Sequence, residues 1–333
     1  MKLKKKVLIT QFIHPDGMKI LEDAVEQVVL APDPRPETLL SMMDDSIDGI
    51  IVRHNRLTAE MIEKCTNLQV IARHGIGTEL IDLEAATRQG VLVTNTPHAA
   101  TVSVAEHTMM YILMLGRKIM TADKEQKKGN FAIKVTYKPD DIEGKTVGII
   151  GLGHIGSIVA KYCNAFDMRV IAYDPRLREE DGQKYGAKMM PNMNSVLQEA
   201  DFVTLHTPQS EETIHMMSRE QFALMKPDAY FINCSRGPIV DEKALIEALE
   251  QKKIAGAALD VFEEEPTDKD GKLLDTYQKL FSLENLIVSP HSSALTVSGS
   301  RKMAVQSAEQ MVKVLKGEQA DWIVNTEVLD KLS

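Results

Sequence analysis

The six residues from Gly151 to Gly156, with the sequence Gly-Leu-Gly-His-Ile-Gly, constrain the fold of this chain more than any other feature. This glycine loop follows an apolar run, Val147 to Ile150, that is typical of a buried strand. It opens a stretch, Ile155 to Asn164, with helical periodicity. In such a turn the first glycine permits a tight bend, the second lets the backbone approach a pyrophosphate, and the third lets the helix pack against the strand. The sequence therefore predicts a dinucleotide held at a helix N-terminus.

Asp174 supports the same interpretation. It ends the next strand-like run, about 20 residues past the loop, where a carboxylate meets the ribose diol of the adenosine half. A carboxylate there repels a 2′-phosphate, so NAD is favoured over NADP. Arg176 and Arg178 follow closely and weaken this preference, although we interpret them as a solvated loop.

Strand-like and helix-like segments alternate in two series, which predicts βαβ units and parallel sheets. An apolar stretch between the series, Thr101 to Met120, predicts one buried helix, and the polar stretch Thr121 to Gly144 predicts a boundary or an arm. Val297 to Leu315 predicts an amphipathic helix. The predicted strands are Val7–Thr10, Val25–Leu30, Ile47–Val52, Val70–Ala72 and Val91–Val93, then Thr146–Ile150, Arg169–Tyr173, Phe202–Leu205, Ala229–Asn233, Ala257–Val261 and Leu286–Ser289.

Composition limits the class of protein. With 333 residues the chain is long enough for two domains, and 48 acidic against 39 basic residues give a net charge of -9. Nucleic acid is therefore not an expected partner, because an acidic protein gains nothing from counterion release. The three cysteines form no CxxC pair, which predicts a reducing, cytoplasmic compartment and no structural metal. We expect neither a signal peptide nor a membrane span, because the apolar stretches are short or carry charges.

Charged side chains follow three predicted strands of the second series: Arg236, the acidic run Glu263 to Glu265, and His291. Carboxyl ends of parallel strands meet at one edge of a sheet, where ligands of open α/β sheets bind. Oxidation of a hydroxy acid by nicotinamide needs a base, which histidine supplies near neutral pH, and a cation for the carboxylate. The residues alone also allow a capping histidine, a surface ion pair and a solvated acidic loop.

Taken together, the motifs resemble those of the D-isomer-specific 2-hydroxyacid dehydrogenases, and among these the catalytic part of the phosphoglycerate dehydrogenases. The resemblance spans nearly the whole chain and is carried by the glycine loop, Asn95–Pro97, Ser103–His107, Asn233–Gly237, Ala258–Pro266 and Ser289–His291. It implies an NAD-dependent oxidoreductase acting on a small D-2-hydroxy acid. It also implies two doubly wound parallel-sheet α/β domains with a cleft between them: a flavodoxin-like substrate domain (residues 1–100 and 292–333) and a Rossmann cofactor domain (residues 101–291).

The resemblance further implies the roles of individual residues. Arg236, Glu265 and His291 match the catalytic residues of the family. The predicted NAD-binding residues are Gly151, Gly153, His154, Ile155, Gly156, Asp174, Thr207, Pro208, Cys234, Ser235 and Asp260, the last near the nicotinamide carboxamide. The substrate carboxylate is expected at a backbone nest formed by Arg73, Gly75, Ile76 and Gly77, although a simple turn also explains these glycines.

The substrate is less constrained than the chemistry. Arg53 follows a predicted strand and, with Arg73, suits a phosphate, which favours 3-phosphoglycerate over hydroxypyruvate or glyoxylate. Arg53 could equally steady a carboxylate or pair with an acid. The resemblance also implies a homodimer through the helix Thr101 to Met120, whose apolar face an intrachain core explains equally well.

The chain departs from the family pattern in several places. His154 stands where many members have arginine, Thr78-Glu79 is an unusual pair, and the stretch Thr267 to Leu280 is slightly long. An additional regulatory domain, common in phosphoglycerate dehydrogenases, is not expected. A different class stays open: an NAD-sensing binding protein, similar to the C-terminal-binding corepressors. The glutamine paired with histidine in formate dehydrogenases is not matched, because Glu265 stands there.

Overall fold

The computed structural model of the chain describes residues 1–264, 266 and 272–332. It divides the chain into two compact units, of which unit 1 comprises Met1–Ala100 and Leu295–Ser333 and unit 2 comprises Thr101–Ala294. Both are built of parallel strands that alternate with helices, which confirms the predicted class of two doubly wound α/β domains. Elements are numbered in chain order.

Unit 1 contains a five-stranded parallel sheet in the order β2-β1-β3-β4-β5, which is the flavodoxin-like order. Its central strands are buried on both faces, as helix-covered parallel sheets require. The strands are β1 (Leu3–Ile9), β2 (Val25–Leu30), β3 (Gly49–Val52), β4 (Val70–Arg73) and β5 (Leu92–Thr94). The helices are α1 (Pro15–Ala24), α2 (Pro36–Met42), α3 (Ala59–Glu63), α4 (Leu83–Gln89), α13 (Val297–Leu315) and α14 (Leu329–Leu332).

Helix α13 joins unit 1 by close packing against α1. A Cβ atom at Gly17 would lie 2.6 Å from the carbonyl oxygen of Ala304, so glycine lets the two helix backbones approach. The helix begins where Thr296 accepts a hydrogen bond from the Gly299 amide at 2.9 Å, a typical N-cap. Its predicted extent is confirmed.

Unit 2 contains a seven-stranded parallel sheet in the order β12-β11-β10-β9-β6-β7-β8. Read from β8, the first six strands follow the Rossmann order, and the direction of winding changes between β6 and β9. The strands are β6 (Thr146–Ile150), β7 (Arg169–Tyr173), β8 (Lys188–Met189), β9 (Phe202–Leu205), β10 (Tyr230–Asn233), β11 (Gly256–Leu259) and β12 (Leu286–Val288). The helices are α5 (Thr101–Gly116), α6 (Ile119–Lys127), α7 (His154–Ala165), α8 (Glu179–Gln183), α9 (Met193–Glu199), α10 (Arg219–Leu224), α11 (Glu242–Glu250) and α12 (Asp275–Phe281).

The prediction of a single helix from Thr101 to Met120 is wrong at its end. Helix α5 stops at Gly116 and α6 starts at Ile119, because Lys118 has a left-handed φ of 49°. Glycine favours this break, since it costs about 1 kcal/mol relative to alanine inside a helix. The predicted boundary or arm after it contains the rest of α6 and a 3-10 helix, Phe131–Val135.

Helix α5 contributes to the core of unit 2. Val104, Met109 and Ile112 are buried against the sheet and α7, whereas Met110 keeps 39% of its surface exposed. The intrachain core therefore accounts for most of the apolar face of α5. Among the described residues, no helix combines the length and apolarity that crossing a membrane requires.

Candidate active site

The glycine loop follows β6 and runs into the first turn of α7, as predicted. Gly151 has a φ of +93°, and a Cβ atom at Gly156 would lie 2.2 Å from the Gly151 carbonyl oxygen, so the fold itself requires both glycines. Gly153 differs, because a Cβ atom there would meet nothing within 4 Å. Gly153 also caps α7 without a side-chain hydrogen bond, which leaves the helix N-terminus open to an anion. His154 is exposed and Ile155 half-buried.

Asp174 follows β7 and is nearly fully buried beside this loop. Its Oδ2 atom accepts a hydrogen bond from the Leu152 amide at 3.2 Å, and its Oδ1 atom accepts one from the Arg176 amide at 3.0 Å. The Arg176 guanidinium lies 3.7 Å from the same carboxylate. The predicted ribose ligand is therefore adjacent to the predicted pyrophosphate site.

Polar atoms after β9 test whether these residues fit a dinucleotide. Thr207 Oγ1 and His206 Nδ1 are buried and have no hydrogen-bond partner among the described residues. They lie at the first glycine, because a Cβ atom at Gly151 would be 3.0 Å from Thr207 Cγ2. Burial lowers the pKa of His206 to about 3, so its ring is neutral. Such unsatisfied groups are costly without a ligand, so the site fits a bound dinucleotide. Pro208 is exposed next to them.

The residues after β10 are ordered by Asn233, which is fully buried. Its side-chain oxygen accepts hydrogen bonds from the Ser235 amide at 3.0 Å and the Ser235 hydroxyl at 2.8 Å. Its side-chain nitrogen donates to the Arg236 carbonyl at 2.9 Å. The guanidinium of Arg236 donates to the Ser235 carbonyl at 2.8 Å. Burial raises the pKa of Cys234, so it is a neutral thiol.

A second buried side chain, Asp260, holds the turn that carries His291. The amides of Ser292 and Ser293 donate to the two carboxylate oxygens of Asp260, at 2.8 and 2.9 Å, and the Ser289 hydroxyl donates to the first of them. His291 itself has a left-handed φ of 52°, and its amide donates to the Asp260 carbonyl at 2.8 Å. His291 is exposed, which is compatible with its predicted role in proton transfer.

Two side chains of helix α5 also contact this turn, both at the hydroxyl group of Ser289. The Tyr111 hydroxyl lies 2.6 Å from the Ser289 hydroxyl, and His107 Nε2 lies 3.1 Å from it. Desolvation lowers the pKa of His107, which favours a neutral ring. The turn is thus fixed by side chains on two elements.

The acidic run after β11 is described only in part. Glu265, predicted to be catalytic, lies outside the described residues, so its role stays a prediction. Glu263 pairs with His215, and the Glu263 amide donates to the Glu242 carboxylate at 2.8 Å. Glu264 is exposed.

In unit 1 the predicted anion nest follows β4. The carbonyls of Gly75, Ile76 and Gly77 accept hydrogen bonds from the Thr96 amide, the Asn95 side chain and the Arg73 side chain, at 2.9, 2.9 and 2.7 Å. The amides of Ile76 and Gly77 donate to none of the described residues. Gly75 has a φ of +142°, which requires glycine. With its carbonyls engaged, the loop keeps two amides available for an anion.

The Arg73 side chain stabilises this loop by hydrogen bonds to its carbonyl groups. Its guanidinium also donates to the His74 carbonyl at 2.7 Å. Arg53, at the end of neighbouring β3, is half-buried and donates to the Phe12 carbonyl at 2.6 Å. Its Nε atom has no partner among the described residues, and burial lowers the pKa of Arg53. His74, buried near both arginines, has its pKa lowered to about 3 by burial and by their charges.

Among the described residues, no group of three or more His, Cys, Asp or Glu side chains is placed to hold a metal ion. Arg236, Asp260 and His291 follow β10, β11 and β12, so they lie at the same carboxyl edge of the sheet as the glycine loop. That arrangement suits an organic dinucleotide with an acid substrate.

Comparison with known proteins agrees with this geometry. Residues 109–293 match the family model of the D-isomer specific 2-hydroxyacid dehydrogenase, NAD binding domain. The chain is 43% identical over 321 residues to a D-3-phosphoglycerate dehydrogenase from Methanocaldococcus jannaschii, covering 96% of this chain but 59% of that protein. It is 35% identical to a glyoxylate reductase from Pyrococcus furiosus, covering 98% and 97% of the two chains.

A solved structure agrees as well. The D-lactate dehydrogenase with NAD+ from Lactobacillus jensenii matches with a TM-score of 0.79 and 31% identity, over 96% of this chain and 99% of that one. The chain belongs to the D-isomer-specific 2-hydroxyacid dehydrogenase family. Its unit 2 contains the NAD-binding domain of that family, and NAD is its cofactor.

Sequence reasoning assigned no orienting role to the residues that hold the site in place. Asn233 and Ser289 are polar residues at or just after the ends of apolar strands, which is the signal that could have identified them. Tyr111 and His107 lie within an apolar helix, where a polar group that must find a partner is the corresponding signal. His206 precedes the predicted Thr207 directly and could have been included with it.

Proposed function

We propose that this chain is an NAD-dependent oxidoreductase that interconverts a small D-2-hydroxy acid and its 2-keto acid. One observation carries the proposal: the glycine loop, Arg236 and His291 follow β6, β10 and β12 at the carboxyl edge of one parallel sheet. The nicotinamide ring supplies or accepts the hydride when the cofactor is bound. The site is therefore one for proton transfer and carboxylate binding next to a dinucleotide.

Each side chain has a role in this proposal. His291 takes the hydroxyl proton in oxidation and returns it in reduction, which its exposure allows. Arg236 binds the substrate carboxylate and polarises the keto oxygen. Glu265 orients the imidazole and stabilises its protonated form. In unit 1, the Ile76 and Gly77 amides form an anion-binding nest, since they are not engaged by the described residues.

We propose 3-phosphoglycerate and its keto acid as the first substrate pair to test. Arg53 supports this choice, because a half-buried guanidinium whose Nε has no hydrogen-bond partner among the described residues suits a phosphate dianion. The M. jannaschii relative carries the same activity in its name, although the chain spans only 59% of that protein. Reduction of glyoxylate or hydroxypyruvate is the second candidate, because the chain spans 97% of a glyoxylate reductase. A cytoplasmic homodimer is the form we propose.

The test is NADH oxidation with phosphohydroxypyruvate, hydroxypyruvate, glyoxylate and 2-oxoglutarate side by side. His291→Ala should lower kcat roughly 100-fold or more with NADH affinity near wild type. Equal loss of both would assign the histidine to cofactor binding. If the wild-type chain binds NADH but reduces none of the four acids, the proposed enzymatic function is rejected and the NAD-sensing class is favoured.

Arg53→Ala separates the substrate classes, with the exposed Arg56→Ala as its matched control. If phosphate is the ligand, the variant raises KM for phosphohydroxypyruvate most. An equal rise in KM for all four acids would show that Arg53 does not bind a phosphate.

A further inference from the structure

Two buried polar side chains, Glu242 and Tyr277, hold the backbone of the segment Phe262–Glu264, which we name the acidic segment. Glu242 accepts a hydrogen bond from the Glu263 amide at 2.8 Å. The Tyr277 hydroxyl accepts one from the Glu264 amide and donates one to the Glu264 carbonyl, both at 3.0 Å. Glu242 is 9% exposed and Tyr277 is 3% exposed. The backbone of the segment is therefore held from inside the protein.

Both side chains come from well-anchored helices. Glu242 is the first residue of α11, and the preceding Asp241 caps that helix by accepting from the Ala244 amide. The Tyr277 ring lies in α12 and contacts Phe262 and Phe281, with ring centroids 5.7 and 5.8 Å away. The ring packing fixes the tyrosine, so its hydroxyl is a preorganised partner for the backbone.

The acidic segment in turn packs against the residue that follows Arg236. A Cβ atom at Gly237 would lie 1.7 Å from the Phe262 carbonyl oxygen, so the two backbones are in direct contact. A second link runs through His215, whose ring pairs with Glu263 and whose amide donates to the Pro238 carbonyl at 2.9 Å. A shift of the acidic segment would therefore move the backbone that carries Arg236.

An apolar side chain at position 242 would not reproduce the contact that the Glu242 carboxyl group makes with the Glu263 amide. Burial raises the pKa of Glu242 to about 7, which shows that the charged form is disfavoured there. An apolar side chain of similar volume would fill the same space without this cost. What the carboxyl group adds is an acceptor for the Glu263 amide. That acceptor acts on the backbone next to Arg236.

We propose that Glu242 and Tyr277 are positioning residues for the reaction: by holding the acidic segment against Gly237, they fix the backbone that carries Arg236. This inference rests on the proposed function. Glu265, the second predicted catalytic residue, follows the acidic segment directly in the sequence. The backbone that Glu242 and Tyr277 hold therefore ends just before it. Glu242 and Tyr277 act through the backbone and do not touch substrate.

The experiment compares four variants of the full chain. Glu242→Gln keeps an oxygen acceptor, Glu242→Leu removes it at similar volume, and Tyr277→Phe removes only the hydroxyl. Glu247→Gln, on the same helix but paired with Arg219 at the surface, is the matched control. For each we would measure Tm, the dissociation constant of NADH, and kcat and KM with the best 2-keto acid.

The expected result is a fall in kcat of roughly 10- to 100-fold in Glu242→Leu and Tyr277→Phe, the size that small misplacements of reacting groups produce. NADH affinity should stay near wild type, and Glu242→Gln should recover most of kcat. If Glu242→Leu does not fold, the kcat of Tyr277→Phe still tests the positioning role.

Two results would overturn the inference in distinguishable ways. An active wild type with Glu242→Leu or Tyr277→Phe at the kcat of the Glu247→Gln control would reject the positioning role alone. A folded wild type without turnover on any keto acid would reject the proposed function, and the inference with it.

Discussion

The buried carboxylate of Asp260 accepts a 2.8 Å hydrogen bond from the backbone amide of Ser292. Its other oxygen accepts from the Ser293 amide at 2.9 Å, so the carboxylate is bound to the turn directly after His291. The resemblance to the family assigned Asp260 to the nicotinamide carboxamide. The contacts give it a second role, because they set the left-handed turn that exposes the imidazole.

Asp260→Asn should therefore separate turnover from cofactor binding. Asparagine has one acceptor oxygen, so its NH2 group would face one of the two serine amides and loosen the turn. We expect kcat to fall roughly 10- to 100-fold, a stability loss of about 1–3 kcal/mol, and a small change in NADH affinity. The exposed Asp228→Asn is the control. If NADH affinity falls as much as kcat, Asp260 acts mainly on the cofactor.

The glycines of the glycine loop should respond differently to alanine. Gly156→Ala places a Cβ atom 2.2 Å from the Gly151 carbonyl oxygen, so we expect it to destabilise the fold by about 1–3 kcal/mol or more. Gly153→Ala meets no atom within 4 Å, so Tm should stay near wild type. If the pyrophosphate of the cofactor passes over Gly153, the NADH affinity of Gly153→Ala should fall at least about tenfold, or about 1.4 kcal/mol. A Gly153→Ala variant with normal affinity would place the pyrophosphate elsewhere.

The fold and the strand ends that carry the candidate site could be predicted because they depend on periodicity. Among the described residues, alternation of apolar runs located eleven of the twelve strands, and only the two-residue strand β8 was missed, since two residues carry no period. The break at Lys118 was missed because apolar residues continue beyond it at Ile119 and Met120, so the apolar pattern alone does not mark the end of the helix.

The hydrogen-bond partners of the residues that support the site could not be predicted, because they depend on packing. Asn233 and Glu242 act by hydrogen bonds to backbone groups, and these partners are defined only once the chain is folded. The roles of the catalytic residues themselves came from resemblance, and they stay predictions. Burial in particular decides whether an acid such as Glu242 is charged, and burial is a property of the fold.

Glu242 gives the free energy of unfolding a predictable dependence on pH. Its pKa is raised from 4.5 to about 7 by burial, so between these values the folded state binds more protons than the unfolded state. Stability should therefore fall as pH rises from about 5 to 7, by up to about 3 kcal/mol from this group. Glu242→Gln cannot ionise, so urea unfolding should show its stability rising relative to wild type over that range. Parallel pH profiles for the two proteins would contradict this assignment.

Asp174 and Arg176 together should set the choice between NAD and NADP. The carboxylate repels a 2′-phosphate, and it also holds the Arg176 guanidinium 3.7 Å away. Asp174→Ala removes the repulsion and frees a cation that suits phosphate, so kcat/KM with NADPH relative to NADH should rise roughly tenfold, or about 1.4 kcal/mol. The double variant Asp174→Ala/Arg176→Ala should lose most of this gain, because the cation is then gone. A double variant that keeps the full gain would show that repulsion alone selects NAD, and an unchanged ratio in Asp174→Ala would remove Asp174 from the ribose.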